Sequence, residues 1–127
     1  CEIAQSQVRE PEPVAPSSGG CELETVYFEF DSSTLEPSAR DAIARNANCM
    51  RERGIGGVRV TGFTDPRGTE EYNLALGDRR ARSVAQYLNS LGIDKNKTST
   101  ASMGEEMARG EDESGWAKDR RAEFTAK

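Results

Sequence analysis

Between Val58 and Leu88 the chain changes its apolar period once, and that change restricts the fold more than any other feature. Val58 and Val60 alternate with polar neighbours and begin a strand that runs to about Gly62 or Phe63. Pro66 and Gly68 mark a turn after it. From about Glu70 to Asn89 apolar residues return at helical spacing, with Leu74, Ala81, Val84, Ala85 and Leu88 on one face and Gly92 just past the end. A strand, a turn and an amphipathic helix in direct succession pack well only as a sheet with the helix laid on one face.

The rest of the chain extends that pattern. Thr25 to Asp31 (TVYFEFD) sets Val26, Phe28 and Phe30 against Tyr27 and Glu29, as in a strand with one buried face. Ser32 to Leu35 form a polar exit. A first helix is expected from Pro37 to about Arg53, with Ala39, Ile43, Ala44, Ala47 and Met50 at helical spacing and Gly54, Gly56 and Gly57 stopping it. Thr98 to Met103 is expected as a third strand, although it is unusually polar. Gly104 to Gly115 reads as a charged loop, Trp116 to Asp119 as a helical turn, and Arg121 to Thr125 as a closing strand with Phe124 buried. The order β-α-β-α-β-(short α)-β predicts a two-layer α+β domain, a mixed sheet covered by helices on one face. That domain is expected over residues 21–127. Residues 1–20 show no strand or helix period and crowd Pro11, Pro13, Pro16, Ser17, Ser18, Gly19 and Gly20 at one end, which predicts a flexible linker.

Composition excludes several functions. A net charge of −5 argues against nucleic acid as a partner. The chain has no histidine, which removes Ser-His and Cys-His catalysis and most zinc sites. Its apolar runs fall far short of the ~20 residues of a membrane helix, and no signal-peptide pattern is expected within the 127 residues. There are three cysteines. Cys21 just precedes the first strand and Cys49 lies near the end of the first helix. A strand followed by an antiparallel helix brings the strand's start near the helix's end, so a Cys21–Cys49 disulfide is expected. Two buried free thiols in a reducing compartment are the alternative.

Candidate chemistry centres on Asp65, Asn73, Leu76 and Arg80. At ~100° per residue, positions 73, 76 and 80 share about a quarter of the helix circumference, at the edge of its apolar face. Arg80 can thus lean over the sheet edge toward the turn holding Asp65. A carboxylate accepts hydrogen bonds from an ammonium group, and a guanidinium fork grips a carboxylate, so the pair suits a zwitterionic ligand. Spacing leaves an internal Asp65–Arg80 ion pair, bracing turn to helix, equally open.

The run TGFTDPRGTEEYNLALGDRRARSVAQYL, Thr61 to Leu88, resembles the peptidoglycan-binding motif of the OmpA-like domain family, in most detail from Asp65 to Ala81. VYFEFDSS is similar to the family's opening strand with its Phe-Asp exit, and KDRRAEF to its closing strand. The resemblance covers about Val26 to Phe124. It implies that Asp65 and Arg80 hold the meso-diaminopimelate residue of the peptidoglycan stem peptide. Asn73 and Leu76 would line that pocket, and Phe30 and Asp31 would form its other wall. It implies binding without catalysis, with no catalytic residue, metal or cofactor. Within the family the chain is similar to the lipid-anchored members. That implies a lipid on Cys1, a tether behind it, an outer-membrane location with the domain facing the periplasm, and a part in envelope integrity and cell division with TolB as a partner.

Two positions depart from the family pattern. Phe63 stands where the family's G-H-x-D motif usually has histidine. Asp119 stands where the closing motif usually has asparagine, beside Arg120 and Arg121, where it can tie up one of them. Two other readings are weighed: the wall-binding domain of a porin or flagellar stator, and a wall hydrolase using Asp31 and Asp65 as its carboxylates. The acidic run Glu105, Glu106, Glu111, Asp112 and Glu113 lacks calcium-loop spacing and is expected to be solvated. Trp116 is expected to pack under the last loop.

Overall fold

Strands need partners for their backbone groups, and amphipathic helices need a surface for their apolar stripe. In the computed structural model, which describes residues 21–127, both needs are met around a shared core. The elements are β1 (Val26–Tyr27), α1 (Pro37–Arg53), β2 (Val58–Phe63), α2 (Glu70–Ser90), a 3-10 turn (Lys95–Lys97), β3 (Thr98–Gly104), α3 (Glu113–Asp119) and β4 (Arg121–Ala126). The sheet order is β1-β4-β2-β3. β2 and β3 are parallel, with α2 as the crossover between them, and β4 runs antiparallel between β1 and β2. Ile43, Ala47 and Met50 of α1 and Ala81, Val84 and Leu88 of α2 bury against Val26, Val58, Val60 and Ala122 of the sheet. This is the expected α+β architecture, a mixed sheet with its helices on one face. The linker expected over residues 1–20, Cys1 included, lies outside the described residues.

Three expectations about the elements are corrected. The strand expected over Thr25–Asp31 pairs only at Val26 and Tyr27, opposite Ala122 and Arg121. Phe28 adds one hydrogen bond, from its N–H to the Arg120 carbonyl at 2.9 Å. Beyond it β4 offers no partner, so the chain turns, with Asp31 at a φ of 54°. Val26 and Phe28 are therefore buried while Phe30 is 55% exposed. In α2, Leu74 is 39% exposed and Leu76 is buried instead. Leu74 lies against β3, the edge strand, with no further strand to cover its side chain, and its carbonyl accepts the Ser102 hydroxyl at 2.7 Å. Finally, α3 begins at Glu113, three residues before the expected Trp116, because the Asp112 side chain accepts the Gly115 N–H at 3.1 Å and caps it. That bond holds the Asp112 carboxyl below its ordinary pKa. The polarity of β3 has a simple cause: it is an edge strand, and none of Thr98 to Met103 is buried.

Cys21 and Cys49 form the expected disulfide, with their Cα atoms 5.8 Å apart. Beside it, the buried Asn46 amide mimics a strand partner: it accepts the Glu24 N–H at 2.7 Å and donates to the Glu24 carbonyl at 2.9 Å. Both devices hold the segment before β1 on α1. The cysteines are 28 residues apart in sequence. Reducing the bond should lower stability by about 3–4 kcal/mol through loop-closure entropy. Urea unfolding with and without reductant checks this; coincident curves would refute it.

One contact sets how closely α2 sits on the sheet. A Cβ built on Gly62 of β2 would lie 1.8 Å from the carbonyl oxygen of Gly77 in α2. Helix and strand backbones touch there, and Asn73, Leu76 and Arg80 are positioned by that contact.

Candidate functional site

The segment from Thr64 to Thr69 joins β2 to α2 as a turn that its own side chains build. The Asp65 carboxylate accepts the Arg67 backbone N–H at 3.0 Å, an Asx turn. Gly68 follows at a φ of 97°, a conformation that favours glycine. Thr69 then caps α2 by accepting the Tyr72 N–H at 3.1 Å. One helical turn on, the Asn73 amide donates to the Arg67 carbonyl at 3.0 Å and to the Glu105 carboxylate at 2.7 Å, tying the turn to the helix and to the loop after β3. From the other side, the turn after Phe28 brings in Phe30 and Asp31. All six residues singled out from the sequence, Phe30, Asp31, Asp65, Asn73, Leu76 and Arg80, line one pocket of about 210 Å³.

The internal Asp65–Arg80 ion pair left open by the spacing does not form. Arg80 is fully buried and spends its fork on backbone oxygens: Nε donates to Ser32 at 2.8 Å, Nη1 to Phe63 at 2.9 Å and Nη2 to Glu29 at 3.0 Å. Burial pushes its pKa down to about 10, a shift that nearby Asp65 partly opposes, so the group stays charged at neutral pH. Three of its five N–H donors are used, which leaves two. Asp65, 4% exposed, pairs instead with Arg67 at 2.8 Å, and Arg120 Nη1 stands 3.8 Å from the same oxygen.

Sequence reasoning missed the residues that complete the wall. Arg67 lies between two aromatic faces, 3.9 Å from the Phe30 ring centroid and 4.0 Å from that of Trp116. Tyr72 donates its hydroxyl to the Asp31 carboxylate, and that bond raises the tyrosine's pKa. Thr64 also lines the pocket, and its buried hydroxyl has no hydrogen-bond partner. The signal for Arg67 was its place two residues after an aspartate at a turn, where an Asx turn forms; nothing local pointed to Trp116.

The two departures from the family pattern fall outside the pocket lining. Phe63 is buried under the Arg121 guanidinium, 4.0 Å from its ring centroid, and only its carbonyl serves the site, through Arg80. The Asp119 carboxylate ties up neither neighbouring arginine side chain. It accepts the backbone N–H groups of Arg109 at 3.1 Å and Gly110 at 2.9 Å, pinning the loop before α3.

The arrangement offers a buried carboxylate, a buried guanidinium with donors to spare, and apolar walls between them. It suits a small ligand bearing both charges. Asp65 is tied to two arginines and Asp31 to Tyr72, so both carboxylates are engaged by side chains of the domain itself. Among the described residues no cluster of three or more potential metal ligands occurs, and no helix is long and apolar enough to cross a membrane.

The OmpA family pattern matches residues 27–122. The chain is 45% identical over 104 residues to the peptidoglycan-associated lipoprotein of Pseudomonas putida, a match covering 80% of this chain and 62% of that protein. It thus spans about three fifths of the length of that relative and of its Pseudomonas aeruginosa counterpart. The crystal structure of the peptidoglycan-associated lipoprotein from Burkholderia pseudomallei superposes with a TM-score of 0.75 at 36% identity, over 81% of this chain and 89% of that one. The C-terminal domain of Helicobacter pylori MotB superposes with a TM-score of 0.73 at 22% identity, over 82% of this chain and 84% of that one, a likeness of fold alone.

Proposed function

The chain belongs to the OmpA family, and from that membership we propose that its pocket grips the diaminopimelate-bearing stem peptide of peptidoglycan without covalent chemistry. The observation that carries the reading is Arg80: a buried cation, fixed by three carbonyls, with two donors left beside the Asp65 carboxylate in the same pocket. The free end of meso-diaminopimelate is an ammonium plus a carboxylate. Its carboxylate goes to Arg80 and its ammonium to Asp65, with the stem between Leu76 and Phe30, Asn73 lining the pocket and Asp31 on its other wall. Preformed donors on a buried scaffold make such a grip selective, because a ligand lacking its carboxylate leaves the spare Arg80 donors unmet.

The names of the relatives support the wider role. We read the protein as a lipoprotein anchored in the outer membrane, its domain facing the periplasm and holding the wall, within the Tol-Pal system of envelope integrity and cell division, with TolB as a partner. With Cys21 and Cys49 joined, Cys1 is the remaining cysteine of the three and the candidate lipid acceptor. A disulfide suits an oxidising compartment such as the periplasm. A wall-binding domain of a stator is the second reading, favoured only by the fold shared with MotB. A hydrolase is disfavoured by the ties on Asp31 and Asp65.

Co-sedimentation with isolated sacculi, with free meso-diaminopimelate as competitor, tests the reading. Asp65→Asn removes a charge-assisted contact and should weaken sedimentation at least about tenfold. Undiminished sedimentation by a folded Asp65→Asn variant would refute the site.

A further inference from the structure

Asp65 is the anion of the proposed pocket, yet its carboxylate is already occupied. Arg67 closes a fork on it, with Nη2 2.8 Å from Oδ2 and Nε 3.3 Å from Oδ1. We infer that the Arg67 guanidinium is an internal stand-in for the ligand's ammonium group, so that binding at Asp65 is an exchange in which the incoming cation displaces it. The inference rests on the pocket assignment above and deepens it by naming the residue that sets affinity and selectivity for the ammonium end.

Geometry makes Arg67 the displaceable partner. Its side chain is 33% exposed while that of Asp65 is 6% exposed, so the arginine can leave toward water and the carboxylate cannot. What holds it besides Asp65 is stacking between Phe30 and Trp116, and Phe30 is itself more than half exposed. The carboxylate is not abandoned when the side chain leaves. The Arg67 backbone N–H still bonds Oδ1, since the Asx turn is a backbone contact. Behind Oδ2, Arg120 is locked in place by bonds from Nε to the Phe28 carbonyl and from Nη2 to Glu113. Its Nη1 is buried, has no hydrogen-bond partner, and lies 3.8 Å from Asp65. Only one side-chain cation is therefore exchanged for another.

Self-occupation has a thermodynamic consequence. A site that is open for only a fraction of the time binds with its affinity reduced by that fraction, and removing the occupant restores it. The restoration applies only to ligands that need the occupied atoms. A ligand without the ammonium has nothing to put on Asp65 and gains nothing from the departure of Arg67.

The protein carries its own reporter, because Trp116 is the single tryptophan of the chain and one face of it is covered by Arg67. The full 127-residue chain and its Arg67→Ala variant are titrated with meso-diaminopimelate and with pimelate, the same seven-carbon dicarboxylate without any amino group, by calorimetry and by Trp116 emission. Arg67→Gln serves if the alanine variant misfolds. The exchange predicts three results. The variant binds meso-diaminopimelate about three- to tenfold tighter, the worth of one exposed ion pair and its stacking. Its affinity for pimelate is unchanged. Ligand moves the wild-type emission toward that of the ligand-free variant. Weaker or equal binding of meso-diaminopimelate by the variant would overturn the exchange alone, making Arg67 a ligand contact or a bystander. So would wild-type binding with constant emission. Failure of both proteins to bind either compound would overturn the pocket assignment together with the exchange.

Discussion

Arg80→Ala should lower the stability of the domain by about 3 kcal/mol, a loss reserved for named structural faults rather than typical substitutions. The fault is that three backbone carbonyls, the buried one of Phe63 and the part-buried ones of Ser32 and Glu29, lose their donor at once. A buried acceptor left without a donor costs roughly 1–3 kcal/mol, and the two part-buried ones, which water can reach, cost less. The full sum is not expected, because the substitution also removes a cation that burial disfavours, as its lowered pKa records. The carbonyls belong to the end of β2 and to the turn after Phe28, so Arg80 joins the two walls of the pocket. Its removal should end wall binding as well, and the two effects must be separated. Urea unfolding supplies the stability and sacculus binding of the folded fraction supplies the function. A loss below about 1 kcal/mol would mean that the carbonyl bonds are replaced by water at little cost.

The two long helices were legible nearly to the residue. Pro37 and Arg53 bound α1 as expected, and α2 ends at Ser90 where Asn89 was read, because periodicity and capping residues are properties of the segment itself. The strands were less so, since a strand's length is decided by its partner. The alternation through Phe30 is real, but β4 begins at Arg121 and leaves nothing for Phe30 to pair with. Leu74 failed for a similar reason: it sits at the right helical angle, but over the edge strand β3, where no further strand covers it. The polarity of β3 was visible and its cause was not, because the position of a strand in a sheet is a tertiary fact.

The site shows the same division. Asp65, Asn73, Leu76 and Arg80 lie within fifteen residues of one another along one turn-helix unit, so their convergence followed from spacing. The partners of Arg80 come from segments 17 to 51 residues away and were invisible. Both alternatives weighed for the Asp65–Arg80 pair assumed that the two charges face each other or a ligand, and neither included the backbone as the third party. Arg67 was not singled out, although it stands between the turn markers Pro66 and Gly68. Its role depends on Trp116 and Phe30, brought in from opposite ends of the domain.

Gly62→Ala should be more damaging still and should separate from its neighbours in a defined order. The added Cβ would lie 1.8 Å from the Gly77 oxygen, 2.6 Å from its carbonyl carbon and 3.0 Å from its Cα. All three are backbone atoms of a helix, so no side chain can swing aside and α2 must lift as a body. Overpacking usually costs about 1–3 kcal/mol, and a backbone-on-backbone clash belongs at or beyond the top of that range. The reverse substitution, Gly77→Ala, meets the Ser102 hydroxyl at 2.3 Å and the Gly62 oxygen at 3.0 Å. A serine can rotate, at the cost of its bond to the Leu74 carbonyl, and alanine regains about 1 kcal/mol of helix propensity, so the net loss should be smaller. Gly56→Ala meets nothing within 4 Å and should fall within about 0.5 kcal/mol of the parent. Urea unfolding of the three variants gives the ranking. Equal losses at Gly62 and Gly77 would show that β2, rather than α2, gives way. Because α2 carries Asn73, Leu76 and Arg80, Gly62→Ala should also weaken sacculus binding in whatever fraction still folds. That would couple a methyl group between strand and helix to the proposed grip on the wall without altering any residue of the pocket.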